Sequence, residues 1–242
     1  MGSIPQIIVN SYRDTIGLFR RAGTLMLATL IILALGDIAS YFGPRVISTT
    51  LGKTLVSTLA IVAALWFATP YLVRLLRMVL ADRIDPAREA YDEPTTNMRF
   101  FAWSSVFAFA AAIPQWAFLQ TPPITTPTIE DADVMALFYL TFALLIALWI
   151  FTARTVTILP AIALGRDIGL REAFAHTRGR FWFVVLAVFL PIVPLALFGR
   201  VFVAATDGVV YFVLSISLSV VTEILALAVS AHIYRWLMDN PK

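Results

Sequence analysis

The chain has 242 residues, 60% of them hydrophobic and 14% charged, where a soluble domain carries roughly 25% charged residues. With a mean hydropathy of +0.86, it requires a bilayer as solvent, and an ordinary water-soluble domain is excluded. The absence of cysteine removes disulfides and thiolate chemistry, and the excess of 18 Lys+Arg over 15 Asp+Glu matters through its placement and points to no nucleic-acid partner.

Ser3–Phe19 reads as an amphipathic helix: Ile4, Ile7, Ile8, Tyr12, Ile16 and Phe19 share one face, and Ser3 with Gln6 matches a capping box. Ala22–Gly43 follows as a first span broken only by Asp37, which lies toward the outer end, within reach of headgroups. A secretory signal is the alternative for this stretch, with Arg20-Arg21, an apolar run and Ala34-Leu35-Gly36. Its n-region is unusually long, and the apolar run continues to Phe42. Thr54–Val73 gives a second span, 20 residues without a charge, about the length a bilayer requires. Asp85-Pro86 has the form of an N-cap followed by proline at the first helical position. Phe100–Ile129 is uncharged and holds the third span, and Thr121–Asp133 is a proline-rich, acidic loop.

Val134–Ala153 and Phe181–Gly199 supply the fourth and fifth spans, and Gly208–Ile233, broken only by Glu223, the sixth. Pro191 and Pro194 interrupt the fifth. Such a break is either a packed kink or a discontinuous helix lining a cavity, as in transporters. Pro70, Pro114 and Pro160 add further kinks. Trp103, Trp182 and Trp236 are placed as interfacial belt residues, whereas Trp66 and Trp149 lie deeper and read as core packing.

Six spans return both termini to one side. That side receives 15 of the 18 basic residues, and the other only Arg45, Lys53 and Arg200. The positive-inside rule then places both termini in the cytoplasm.

The chain also matches itself. At an offset of 83, Ala64-Leu65-Trp66 falls on Ala147-Leu148-Trp149 and Arg88-Glu89-Ala90-Tyr91 on Arg171-Glu172-Ala173-Phe174. At 162, Tyr12 falls on Phe174 and Thr15–Phe19 on Thr177–Phe181; at 79, Tyr12 falls on Tyr91. The three offsets close on one another. The fold expected is therefore all-α and integral to the membrane: one domain over 1–242 in three parallel tandem units, 3–81, 82–165 and 166–242. Each unit is a cytoplasmic amphipathic helix followed by a transmembrane hairpin.

The third such helix carries the most specific stretch, Arg171–Trp182. Arg171, Arg178 and Arg180 are spaced to reach lipid phosphates, with Trp182 in the interface. This makes an elbow feeding the fifth span, each arginine worth ~1 kcal/mol against an anionic leaflet. Within the membrane, Glu223 stands near the middle of the sixth span beside the small and polar stripe Ser215, Ser219, Thr222, Ala226 and Ser230. The stripe is either a wet surface with Glu223 as a proton or cation site, or close packing through small residues. Arg154 on the fourth span is the expected ion-pair partner of Glu223, or else snorkels.

Arg154–Trp182 resembles the signature of bacterial six-span proteins of the YciC-like group, akin to the membrane domain ahead of some glycerophosphodiester phosphodiesterases. The matching residues are Arg154, Leu159-Pro160-Ala161-Ile162, Arg166-Asp167, Glu172-Ala173 and Thr177–Trp182. The chain departs from the pattern at Ala173-Phe174-Ala175-His176. The resemblance implies a bacterial inner-membrane fold with a link to lipid or envelope, and no catalytic residues, since the phosphodiesterase domain is absent.

The residues themselves point the same way. His176 and His232 are the only histidines, and there is no H-E-x-x-H, no G-x-S-x-G and no phosphate-binding glycine loop. Neither enzyme activity, cofactor nor metal is expected. The leading expectation is a non-catalytic membrane protein that organises anionic lipid, or a membrane-protein partner or second copy, through its elbows. The alternative is a small-solute or proton-coupled carrier or channel with a polar path near Glu223. An accessory subunit of a larger membrane complex is a third.

Overall fold

The computed structural model describes residues 3–80, 93–120, 132–199 and 208–240. The helix expected at Asp85-Pro86 and nearly all of the acidic loop lie outside them. Every regular element among the described residues is helical: α1 (Ile4–Arg21), α2 (Gly23–Phe42), a short 3-10 helix (Gly43–Val46), α3 (Thr50–Val79), α4 (Glu93–Gln120), α5 (Ala132–Thr155), α6 (Ile158–Ala163), α7 (Leu170–Thr177), α8 (Phe181–Phe189), α9 (Val193–Phe198) and α10 (Gly208–Asp239). Among the described residues four stretches are long and apolar enough to cross a membrane: α2, α3, Met135–Ala163 across α5 and α6, and Val209–Asp239 of α10. The pair Leu170–Thr177 and Phe181–Leu195, bent by 98°, makes a fifth if it counts as one span. Although α4 has 28 residues, its first two turns carry Glu93, Asn97 and Arg99, which shortens its apolar length.

Helix α1 starts where the capping box predicts, the Ser3 amide donating to Gln6 Oε1 at 3.1 Å. Its faces differ from the expectation. The row buried against the bundle is Ile7, Ser11, Thr15 and Leu18, while Val9, Ile16 and Phe19 stay exposed. Ser11 and Thr15 tolerate burial because their hydroxyls donate to the carbonyls of Ile7 (2.7 Å) and Ser11 (2.8 Å). The apolar face is thus split between a protein-facing row and an outward row, with polar residues on the remaining third.

Helices α2 and α3 form a close hairpin. Gly36 leaves room for Ala64 to approach the α2 backbone, and Ser57 Oγ donates to the Ser40 carbonyl at 2.9 Å. Thr49 caps α3 by accepting from the Gly52 amide at 3.2 Å. The interruption between α5 and α6 falls at Val156–Thr157, where Pro160 lacks the N–H that would bond the Val156 carbonyl. Helix α6 ends in a Schellman motif: Gly165 has φ +71°, its amide donates to Ile162 (2.8 Å), and Arg166 N–H donates to Ala161 (2.9 Å). The break predicted at Pro191 is present between α8 and α9. Tyr12 of α1 donates its hydroxyl to the Pro191 carbonyl at 2.6 Å, satisfying an acceptor the broken helix cannot. Burial raises the Tyr12 phenol above its ordinary pKa, so the hydroxyl keeps its proton.

Two apolar clusters make the core, and α10 belongs to both. Val220, Ile224, Ala231 and Tyr234 pack with α2, α3 and α6. Leu225, Val229, Ile233 and Leu237 pack with Ile7, Ala153, Val184, Ala187 and Val188. A helix buried on two sides has no single apolar stripe. Elsewhere large apolar side chains point outward, among them Leu27, Ile31 and Leu35 of α2 and Phe138, Leu140 and Phe142 of α5, an apolar surface suited to lipid. Trp66 and Trp149 belong to it, at 48% and 54% exposed, and are not core residues as depth along the chain suggested. Each has an aromatic neighbour: Trp66 meets Phe101 edge to face, and Trp149 stacks on Phe189.

Candidate functional site

The elbow is built by a type II β-turn. Arg178 has φ −62° and ψ 131°, Gly179 has φ +72°, and Arg180 N–H donates to the Thr177 carbonyl at 3.2 Å. The second central position of this turn needs positive φ, which glycine adopts without strain. Thr177-Arg178-Gly179-Arg180 therefore encodes the 98° change of direction between α7 and the chain beyond it. Ala173 and Thr177 are buried and anchor α7 on the bundle, which turns Phe174, Arg171 and Arg178 outward. Trp182, at 74% exposed, projects from the first turn of α8 with its ring beside that of Phe181.

The elbow cations are not equivalent. Arg171 and Arg178 are exposed, but Arg180 is half-buried, its guanidinium 5.1 Å from the centre of the Trp236 ring. Trp236 is itself stacked on Phe183 at 3.9 Å, so it is a packing residue and not a free belt residue. Arg154 turns toward the elbow too. It lies 4.6 Å over the Phe181 ring and donates to Thr177 Oγ1 at 3.4 Å. It forms no ion pair with Glu223, contrary to the expectation from sequence.

Three of the intramembrane polar candidates converge elsewhere. Asp37 of α2 lies beside Ser219 of α10 and near enough to Glu223 for their charges to interact. It therefore faces the bundle and not the headgroups, and its Oδ2 is buried with no partner among the described residues. Glu223, about 24 Å from the C-terminal end of α10 at ~1.5 Å per residue, lines a cavity of ≈ 430 Å³ bounded by α3, α4, α8, α10 and the α5–α6 junction. Ala226 and Ser230 of the small-residue stripe line it as well, whereas Thr222 Oγ1 donates back to the Leu218 carbonyl at 2.7 Å. The stripe thus divides between a cavity wall and packing.

Sequence reasoning missed a second polar region. His232 Nε2 of α10 lies 3.0 Å from Asp14 Oδ2 of α1, in a cleft of ≈ 510 Å³ lined also by Asn10, Arg13, Arg235 and Asp239. A pairing across 218 residues leaves no local signal. The Leu159–Asp167 stretch is likewise a junction: Arg77 Nε donates to the Ala163 carbonyl (2.8 Å), Arg166 to Tyr234 Oη (3.1 Å), and Arg99 pairs with Asp167 (3.3 Å). Among the described residues no group of three or more His, Cys, Asp or Glu is arranged to hold a metal.

Comparison with known proteins gives no match: no family model, no curated protein and no solved structure aligns with the chain.

Proposed function

We propose that this is a non-catalytic integral membrane protein of a bacterial inner membrane that gathers anionic lipid at its cytoplasmic elbow. The same surface can seat a membrane-protein partner or a second copy. The single observation that carries this reading is the elbow itself, a sharp bend that leaves Arg171, Arg178 and the Trp182 ring exposed together. Exposed cations beside an exposed indole suit the boundary between headgroups and acyl chains. The likeness of Arg154–Trp182 to the YciC-like group supports a tie to lipid.

The finer architecture belongs to the same proposal: six spans in three parallel tandem units, with both termini cytoplasmic. It is supported by α1 and α7, each a short helix with an outward apolar residue ahead of an apolar pair, and by the outward position shared by Trp66 and Trp149.

The experiment is competition between anionic and zwitterionic lipid for the purified protein in nanodiscs, read by native mass spectrometry. Replacing both Arg171 and Arg178 by Gln removes ~2 kcal/mol at ~1 per cation, about a thirtyfold loss of anionic preference. Arg180→Gln has a smaller effect, because that charge already rests on Trp236. A double variant that keeps the wild-type lipid preference refutes the reading. A carrier with a polar path at Glu223 is the second reading, favoured by the cavity on which that side chain lies. It expects Glu223→Gln to abolish a pH-dependent flux in liposomes while lipid preference persists.

A further inference from the structure

The ≈ 430 Å³ cavity falls in the size range of small-molecule sites, ≈ 300–1,000 Å³. Its walls are mostly hydrocarbon and aromatic, including Ile61, Leu65, Phe107 and Leu159. Several of the wall hydroxyls are already spent: Thr58, Thr155 and Ser230 donate to the carbonyls of Thr54, Phe151 and Leu227. Among the described residues Glu223 is the one ionisable side chain on the wall, and Arg154 is committed to Thr177 and Phe181. Asp37 lies near enough to Glu223 to add a second acidic group to the same region.

A chamber of this kind selects by two features at once. The apolar walls reject a hydrated inorganic ion, because they offer nothing to replace its water. The acidic group attracts positive charge and rejects an anion of the same shape. We propose that this cavity binds a lipophilic monovalent cation, an ammonium or phosphonium on an apolar body, with Glu223 as counter-ion. The site goes beyond the elbow and does not depend on lipid binding there.

The test uses the full chain in nanodiscs, with tetraphenylphosphonium as probe and tetraphenylborate as the anion of matching shape. Equilibrium dialysis is expected to show saturable binding of the cation and none of the anion. Glu223→Gln is expected to weaken cation binding at least tenfold, with Glu223→Asp retaining most of it, and Ala226→Phe, which fills the chamber, is expected to abolish it. A measurement on the unaltered protein makes the result independent of how these variants fold. Tetraphenylphosphonium is expected to protect Glu223 from modification by a hydrophobic carbodiimide, mapped by peptide mass spectrometry. Absence of saturable cation binding, equal binding of cation and anion, or unprotected Glu223 at saturating probe overturns the proposal.

Discussion

The contact between α2 and α3 gives the sharpest test of the packing. Gly36 is buried on α2, and a Cβ placed there falls on the Ala64 Cβ, with the Ala60 carbonyl oxygen 3.7 Å away. Neither neighbour can rotate aside, since one is the first side-chain atom of alanine and the other is backbone. Helix propensity alone predicts that Gly36→Ala stabilises the protein by ~1 kcal/mol. Overpacking costs ~1–3 kcal/mol and here acts on a pair of backbones, at the upper end of that range, so after the propensity gain the net expectation is a loss of up to about 2 kcal/mol. Ala64→Gly removes the opposing methyl. The double variant Gly36→Ala/Ala64→Gly should therefore recover most of the loss, with a coupling of at least ~1 kcal/mol between the sites. Reversible unfolding in mixed micelles, titrated with sodium dodecyl sulfate, measures all four forms. A stabilised Gly36→Ala, or a double variant no better than the sum of its parts, would refute the close approach.

Gly179→Ala should destabilise the fold by ~1–2 kcal/mol in the same assay, because the elbow turn holds this residue at φ +72°, where an L side chain is strained. Tyr12→Phe should cost ~1–3 kcal/mol by leaving the buried Pro191 carbonyl without its donor. Asp167→Asn should change stability by less than ~1 kcal/mol, since its 3.3 Å pairing with Arg99 is solvent-exposed; urea-free thermal melts in mild detergent suffice to check it. Reporter fusions after Asn240 and within Thr121–Asp133 should give opposite signals if both termini lie on the basic side, and equal signals remove the six-span arrangement.

Much of the molecule is legible in its order of residues because the causes are local. Apolar run length sets where α2, α3, the α5–α6 run and α10 form, the Ser3–Gln6 pair sets the start of α1, and Pro160 and Pro191 set the breaks, whereas Pro70 and Pro114 lie inside uninterrupted helices. The bend at Arg171–Trp182 follows from a glycine in the third place of a four-residue turn. Hydropathy cannot report rotation about a helix axis when lipid and protein core are equally apolar. That is why Trp66 and Trp149 face outward despite their depth, and why α1 buries Ser11 and Thr15 while Ile16 and Phe19 stay exposed. Polar partners were hidden for a second reason: a carboxylate or guanidinium carries no mark of which distant helix will face it. Only the packing of α2, α10 and the elbow brings Asp37 beside Ser219 and Glu223, gives Arg154 to Phe181 and Thr177 and Asp14 to His232, and leaves Glu223 on a cavity wall.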